Sequence, residues 1–219
     1  MKYLLTSGGI RTESIRQALL ELLGKPIAAC NALFIPTATY AHPMAGPKAV
    51  YRSLTGADSM AALGWASIGV LELTTLPSLN RDRWVPWVEA ADVLLVDGGD
   101  ARYLAHWMRE SGLADMLPSL DAVWVGVSAG SMVMTPRIGR EFVTWPHAGA
   151  DDEALGVVDF AIFPHLEYPG WSTNTMASAE KWFENITGPA YALDDESAIT
   201  VVDGQVEVIS EGLWRRFDP

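Results

Sequence analysis

Short apolar runs alternate along the chain with longer stretches in which apolar residues recur every three or four positions. Tyr3-Leu4-Leu5-Thr6, Ala32-Leu33-Phe34-Ile35, Ile68 to Leu73, Val93-Leu94-Leu95-Val96, Val123-Trp124-Val125 and Phe160-Ala161-Ile162-Phe163 read as six strands. They lack the apolar–polar alternation of a half-exposed strand, so burial on both faces is expected, as in a parallel sheet between helix layers. Between the first two, Ile15, Ala18, Leu19 and Leu22 fall at helical spacing behind Thr12 and Ser14, either of which can cap. Further helices are expected over about 45–63, from Asn80 or Asp82 through Trp84, Trp87 and Val88, and through Tyr103, Leu104 and Trp107.

The C-terminal pattern differs. Ala190 to Leu193, Ala198 to Val202 and Val206 to Ile209 are short strands, and Asp203-Gly204 between the last two reads as a tight hairpin turn. The expected fold is α/β: a mainly parallel sheet with helices on both faces and antiparallel C-terminal edge strands. No repeat, low-complexity segment or linker interrupts the pattern, so residues 1–219 read as a single domain.

Composition narrows the function. The net charge of −12 repels phosphate backbones and anionic lipid, which argues against nucleic-acid and membrane-surface partners. The sole cysteine, Cys30, excludes an intrachain disulfide and suits a reducing compartment. The N-terminal stretch MKYLLTSGGIRTES lacks the long apolar segment of a signal peptide, and no apolar run reaches membrane-spanning length. A cytoplasmic protein, monomeric or homodimeric, is expected. Most of the nine Trp are expected in the core or on pocket walls.

The chemistry centres on VWVGVSAGSMV, residues 123–133. A strand running into Gly126-Val127-Ser128-Ala129-Gly130 and then a helix-compatible segment is the pattern of a nucleophile elbow. Its small neighbours let strand and helix press close on a strained central residue. Ser128 would project from the carboxyl end of the sheet, with the Ala129 amide at a helix N-terminus to stabilise developing negative charge. A nucleophilic serine needs a base. Of the four histidines, His165 ends a predicted buried strand, at the sheet edge where such folds place ligands. His106 lies within a helix, whereas His42 and His147 sit in proline-flanked loops that could line a pocket.

The imidazole in turn needs an orienting carboxylate. Glu167 is favoured, because alternation along an extended segment would put it on the same side as His165. Glu141 competes, with Asp151 and Asp152 behind it. The second oxyanion donor is expected from the Gly98-Gly99 pair that follows a buried strand, at the Gly99 amide. No HExxH and no Cys/His cluster of ligand spacing is present, so neither metal nor cofactor is called for.

Taken together these segments resemble a known family. VDGGDARYL is similar to its Gly-Gly-rich turn, which usually ends in Asn where this chain has Asp100. GVSAGS resembles its nucleophile elbow, FPHLEYP its histidine segment and YALDDESAITVVDGQVEVISEG its C-terminal hairpin, and LFIPTA also fits. The family is peptidase E, aspartyl dipeptidases on the class I glutamine amidotransferase-like fold, with cyanophycinase a more distant member. The resemblance extends over nearly the whole chain. It implies a cytoplasmic serine peptidase of short peptides, often dipeptides with N-terminal Asp, using Ser128, His165 and the Gly99 and Ala129 amides. The dipeptidase prototype takes its acid from the segment after the elbow, where RIGREFVTWP offers only Glu141. The amidotransferase branch takes a glutamate two residues past the histidine, which matches Glu167.

A preference for N-terminal Asp requires a cation, and Arg137 and Arg140 follow the elbow. Two alternatives remain in view: an esterase, and a non-catalytic protein that binds a peptide or small molecule on the same scaffold. The α/β-hydrolase order of serine, acid and then histidine is disfavoured, because no histidine follows His165. A glutamine amidotransferase would need a cysteine at the elbow, and Cys30 lies far from it.

Overall fold

A computed structural model describes residues 1–46, 48–148 and 152–219. Its strands are β1 (Lys2–Thr6), β2 (Asn31–Ile35), β3 (Ser67–Val70), β4 (Val93–Val96), β5 (Val123–Val127), β6 (Ala161–Phe163), β7 (Ala190–Leu193), β8 (Ser197–Val202), β9 (Gln205–Ser210) and β10 (Trp214–Phe217). Its helices are α1 (Glu13–Leu23), α2 (Thr37–Tyr40), α3 (Ala49–Thr55), α4 (Arg81–Glu89), α5 (Ala101–Glu110), α6 (Leu113–Met116), α7 (Ala129–Met132) and α8 (Met176–Phe183).

The main sheet has the order β3-β2-β4-β5-β1-β8-β9. The first five strands in that order are mutually parallel, and β8 and β9 add the antiparallel edge. β4 shows why a central strand can lack polar residues altogether. Its four residues are all buried, with Val93 and Leu95 in one core and Leu94 and Val96 in the other. The first core is closed by Ile15, Ala18, Leu19 and Leu22 of α1, the second by Trp84 and Val88 of α4 and Leu104, Ala105 and Met108 of α5. Each fully buried Leu or Val contributes about 1.5–3 kcal/mol relative to exposure, so burial on both faces is what holds the central strands.

Helix ends follow local chemistry. Thr12 caps α1 by accepting the Ile15 amide at 3.3 Å, and Gly24 ends it at φ 67. Asn80 caps α4 and Asp100 caps α5. The β8–β9 turn places Asp203 at φ 50 and Gly204 at φ 78, the two positive φ values of a type I′ hairpin.

Three expectations change. The helix anticipated over 45–63 is broken: α3 ends at Gly56, and only a 3-10 turn follows at Met60–Ala62. The third strand is shorter, giving way to a 3-10 stretch at Leu73–Ser78 around Pro77. It is also an edge strand, with Ile68 and Val70 exposed. The sixth strand does not join the main sheet. β6 pairs parallel with β7, and β7 antiparallel with β10, in a separate sheet packed on Trp182 and Ala179 of α8.

Parallel register brings the carboxyl ends of β1, β2, β4 and β5 to one edge, so the turns after Thr6, Ile35, Val96 and Val127 converge there. Cys30 is buried before the amino end of β2, at the opposite edge. No described helix is long and apolar enough to cross a membrane.

Candidate active site

Ser128 sits between β5 and α7 at φ 49, ψ −108, a positive-φ conformation that a non-glycine residue adopts only at a cost of about 1–3 kcal/mol. The surroundings enforce it. Its amide donates to Thr6 O at 3.0 Å, and the Ser131 hydroxyl donates to the same carbonyl at 2.7 Å. A Cβ on Gly126 would lie 2.3 Å from Gly130 O, and one on Gly130 would lie 2.3 Å from Val96 O. Only glycine permits these approaches, which accounts for the spacing around the serine. Beneath the turn, fully buried Trp124 donates its indole N–H to Gly130 O at 2.9 Å. The α7 segment is a single turn, so the local donor is the Ala129 amide itself rather than a long helix dipole.

The Gly98-Gly99 turn reaches the same place. A Cβ on Gly98 would lie 3.6 Å from Ser128 Cβ. Gly99 has φ 146, and a Cβ there would lie 2.1 Å from Ala38 O, so the turn admits no side chain at that position. The Gly98 amide is engaged by the Asp97 carboxylate. Among the described residues, neither the Gly99 nor the Ala129 amide is committed to a protein acceptor.

His165 lies two residues beyond β6 and lines, with Ser128 and Gly99, both a cavity of about 320 Å³ and an adjoining cleft of about 120 Å³. Its Nδ1 is 2.6 Å from Asp195 Oδ1. Asp195 lies two residues beyond β7, the strand paired with β6, so the same offset past two neighbouring strands brings the groups together. Ser7, just past β1, ties them: its hydroxyl accepts the His165 amide at 2.7 Å and donates to Asp195 Oδ1 at 3.2 Å. A Cβ on Gly8 would lie 2.6 Å from Asp195 Cβ, so glycine makes room for the carboxylate. Burial works to raise the Asp195 pKa. The hydrogen bond and charge of His165, the Ser7 bond and the charge of Arg11 outweigh it and hold the carboxyl below its usual range. The Trp171 ring meets the imidazole edge-on at 4.6 Å.

The carboxylate on the imidazole is therefore not the expected one. His165 and Glu167 have φ 55 and φ 53, so the segment turns instead of extending, and the alternation that favoured Glu167 does not hold. Glu167 Oε1 accepts the Met176 amide at the start of α8 at 2.7 Å, and the Glu167 amide donates to Asn174 O. Glu167 thus braces the loop that carries His165. Glu141 is exposed on the 3-10 turn Arg140–Phe142 and reaches only the rim of the smaller cleft. Asp152 is buried, paired with Arg137, and accepts the Gly139 amide at 3.1 Å. Asp151 lies outside the described residues.

The expected substrate cations are also elsewhere. Arg137 is held by Asp152, Arg140 is exposed, and neither lines the cavity or the cleft. His42 does line both, whereas His106 and His147 pack against Trp145. Asp100 has a structural use. Oδ1 accepts the Tyr103 amide, while Oδ2 accepts the Thr144 amide, the Thr144 hydroxyl and the Trp145 amide at 2.6–2.8 Å. An Asn side chain could not take three donors on one edge and one on the other, which explains an acid at this position. Among the described residues, no group of three or more His, Cys, Asp or Glu is gathered as a metal site.

The signal for Asp195 was present in YALDDESAITV: an acid just beyond a buried strand, as His165 is beyond its own. It becomes readable only once β6 and β7 are known to be partners.

Two solved structures share the architecture. A protein from Listeria monocytogenes EGD-e, named as a peptidase E candidate, superposes with a TM-score of 0.70 at 17% identity over 96% of this chain and 98% of its own. A peptidase from an acI-B1 actinobacterium gives a TM-score of 0.61 at 19% identity over 97% and 88%. No curated protein sequence matches the chain. The family model for peptidase family S51 matches residues 3–209. With nearly the whole chain inside that match, the chain belongs to peptidase family S51 and is a serine peptidase.

Proposed function

We propose that the protein hydrolyses short peptides through an acyl-enzyme formed on Ser128, with His165 as general base and acid and Asp195 as the carboxylate that orients it. The observation that carries this reading is the 2.6 Å contact between His165 Nδ1 and Asp195 Oδ1, on an imidazole that shares its cavity wall with a serine held in the elbow conformation. With Nδ1 engaged by Asp195, Nε2 is the nitrogen left for the serine.

His165 Nε2 takes the hydroxyl proton as Ser128 Oγ bonds to the scissile carbonyl carbon, and the carbonyl π pair moves onto oxygen. The Gly99 and Ala129 amides receive that oxyanion. Collapse breaks the C–N bond, and the amine leaves with the proton from His165. Water repeats the sequence on the ester: His165 takes its proton, hydroxide adds, and the Ser128 oxygen departs protonated. Asp195 keeps the imidazole in one tautomer and stabilises the imidazolium that forms in each half.

A volume of about 320 Å³ is at the small end for ligand sites, which suits a few residues of peptide rather than a folded chain. The preference for N-terminal Asp came from the resemblance; Arg137 and Arg140, the cations offered for it, stand outside the cavity and the cleft, and the preference forms no part of this proposal.

The test is kcat/KM on a dipeptide panel. Ser128→Ala should abolish turnover, and Asp195→Asn should lower kcat by up to about 10⁴-fold, as loss of a triad carboxylate does. Glu141→Gln and Glu167→Gln should stay within about tenfold of the native enzyme, because neither carboxylate touches the imidazole. A large loss in Glu167→Gln with little in Asp195→Asn would reverse the assignment.

A further inference from the structure

The main sheet ends at β3, which is bonded to β2 alone. Ala66 sends its amide to Cys30 O on the β2 side, so by alternation Ser67 and Gly69 turn their amides and carbonyls outward. The edge is apolar on both faces. Register sets Gly69 beside Leu33, which packs toward the α4 layer, so Ile68 and Val70 point to the other layer, where they are 42% and 52% exposed. On the α4 side stands Trp87, 45% exposed. A groove of about 430 Å³ follows the edge, with Leu33, Gly69 and Trp87 in its wall, and none of its described lining residues is charged.

Proteins normally guard such an edge with charge, proline, a bulge or a covering element. The other sheet edges among the described residues follow that rule. β9 carries Glu207, β10 carries Arg215 and Arg216, and β6 is wholly buried. β3 reads Ser-Ile-Gly-Val and has neither a charge nor a proline. The charge of the whole chain says what fits there. Each copy carries −12, so two copies repel one another unless the surfaces that meet are neutral, as this one is. A partner chosen by charge would find nothing on this edge to read.

We propose that β3 is the docking surface for a second copy of this chain, paired antiparallel with its own β3 across a two-fold axis, so that the two main sheets run on as one. An antiparallel pair of identical strands is self-complementary under that symmetry, and it satisfies the outward groups of Ser67 and Gly69 on both copies at once. Trp87 then faces the partner on one layer, and Ile68 and Val70 face it on the other. The pairing of four-residue strands is small against the about 800 Å² that each partner of a standard interface buries, so the dimer is expected to be weak, in the micromolar range. None of the residues along this edge lines the cavity that holds Ser128, so the proposal stands apart from the peptidase reading.

Sedimentation velocity on the full chain over about 1–100 µM tests it. The native chain should pass from monomer to dimer across that range, and Ile68→Lys and Val70→Lys should stay monomeric throughout. Lysine lowers the net negative charge, so the loss cannot come from stronger overall repulsion. Salt should tighten the native dimer, because screening weakens the repulsion between two acidic copies while the contact itself holds no ion pair. Hydrogen exchange of the native chain supplies the second readout: the Ser67 and Gly69 amides should exchange more slowly at high protein concentration than at low. Both substituted side chains are exposed, so the variants should keep the native circular dichroism spectrum; if either loses it, the exchange measurement on the native chain still decides. A chain that stays monomeric up to 100 µM, as it would if the edge took a strand from a different protein, would overturn the proposal. So would a dimer that survives both lysine variants, weakens with added salt, or leaves the Ser67 and Gly69 amides unprotected.

Discussion

Ser128 stores strain at the position proposed for the nucleophile. Its φ of 49 exposes the side chain at the mouth of the elbow, and the hydrogen bonds to Thr6 O hold the backbone there. Glycine accepts positive φ without the Cβ clash, so Ser128→Gly should be inactive yet more stable than the native protein. Relief of about 1–3 kcal/mol, offset by the flexibility glycine adds to the unfolded chain, leaves a net gain of about 1 kcal/mol. Urea denaturation measures it, and a variant less stable than the native protein would mean that the turn is not strained. This residue was legible from the sequence because the constraint is local: small neighbours, a strand before and a turn after. The carboxylate that meets the imidazole was not, because Asp195 reaches His165 through the pairing of β6 with β7, far apart in the chain. Glu167 was the nearer candidate in sequence, but positive φ at 165 and 167 sends it to the start of α8.

At the scale of elements, the site is a meeting of strand ends from two sheets. β1, β4 and β5 supply Ser7, the Gly98-Gly99 turn and the elbow, while β6 and β7 supply His165 and Asp195. The buried strands and the β8–β9 hairpin were readable from apolar runs and turn residues. The membership of β6 in a second sheet was not, since three buried residues carry no record of their partner. The break of the 45–63 helix at Gly56 was likewise hidden behind a pattern that continues beyond it. Asp100 links elements in the same way, fastening residues 144–145 to the cap of α5. Asp100→Asn turns one acceptor edge into a donor that faces donors, and should cost about 1–3 kcal/mol. Hydrogen exchange should show the Thr144 and Trp145 amides losing protection while β4 keeps its own; unchanged protection at both amides would contradict this role.

Across the whole molecule, two carboxylates make stability respond to pH in opposite directions. Asp195 has a depressed pKa, so its contribution is present above the unfolded carboxylate value of about 3.9 and is lost as pH falls through the lower folded value. Asp97 has a raised pKa, so the folded state holds its proton to higher pH than the unfolded state does, and its contribution falls as pH rises through that window. Denaturation at a series of pH values should therefore show Asp195→Asn losing its disadvantage as pH falls below about 4. Asp97→Asn should gain on the native protein as pH rises from about 4. Parallel pH profiles for the two variants would contradict the two environments.

The most direct test of the central claim is the rate at which a fluorophosphonate modifies the protein, with the labelled residue identified by peptide mass spectrometry. The account predicts modification at Ser128, slowed by orders of magnitude in His165→Ala and Asp195→Asn and little changed in Glu167→Gln. Labelling at another residue, or labelling of Ser128 at the native rate in Asp195→Asn, would contradict it.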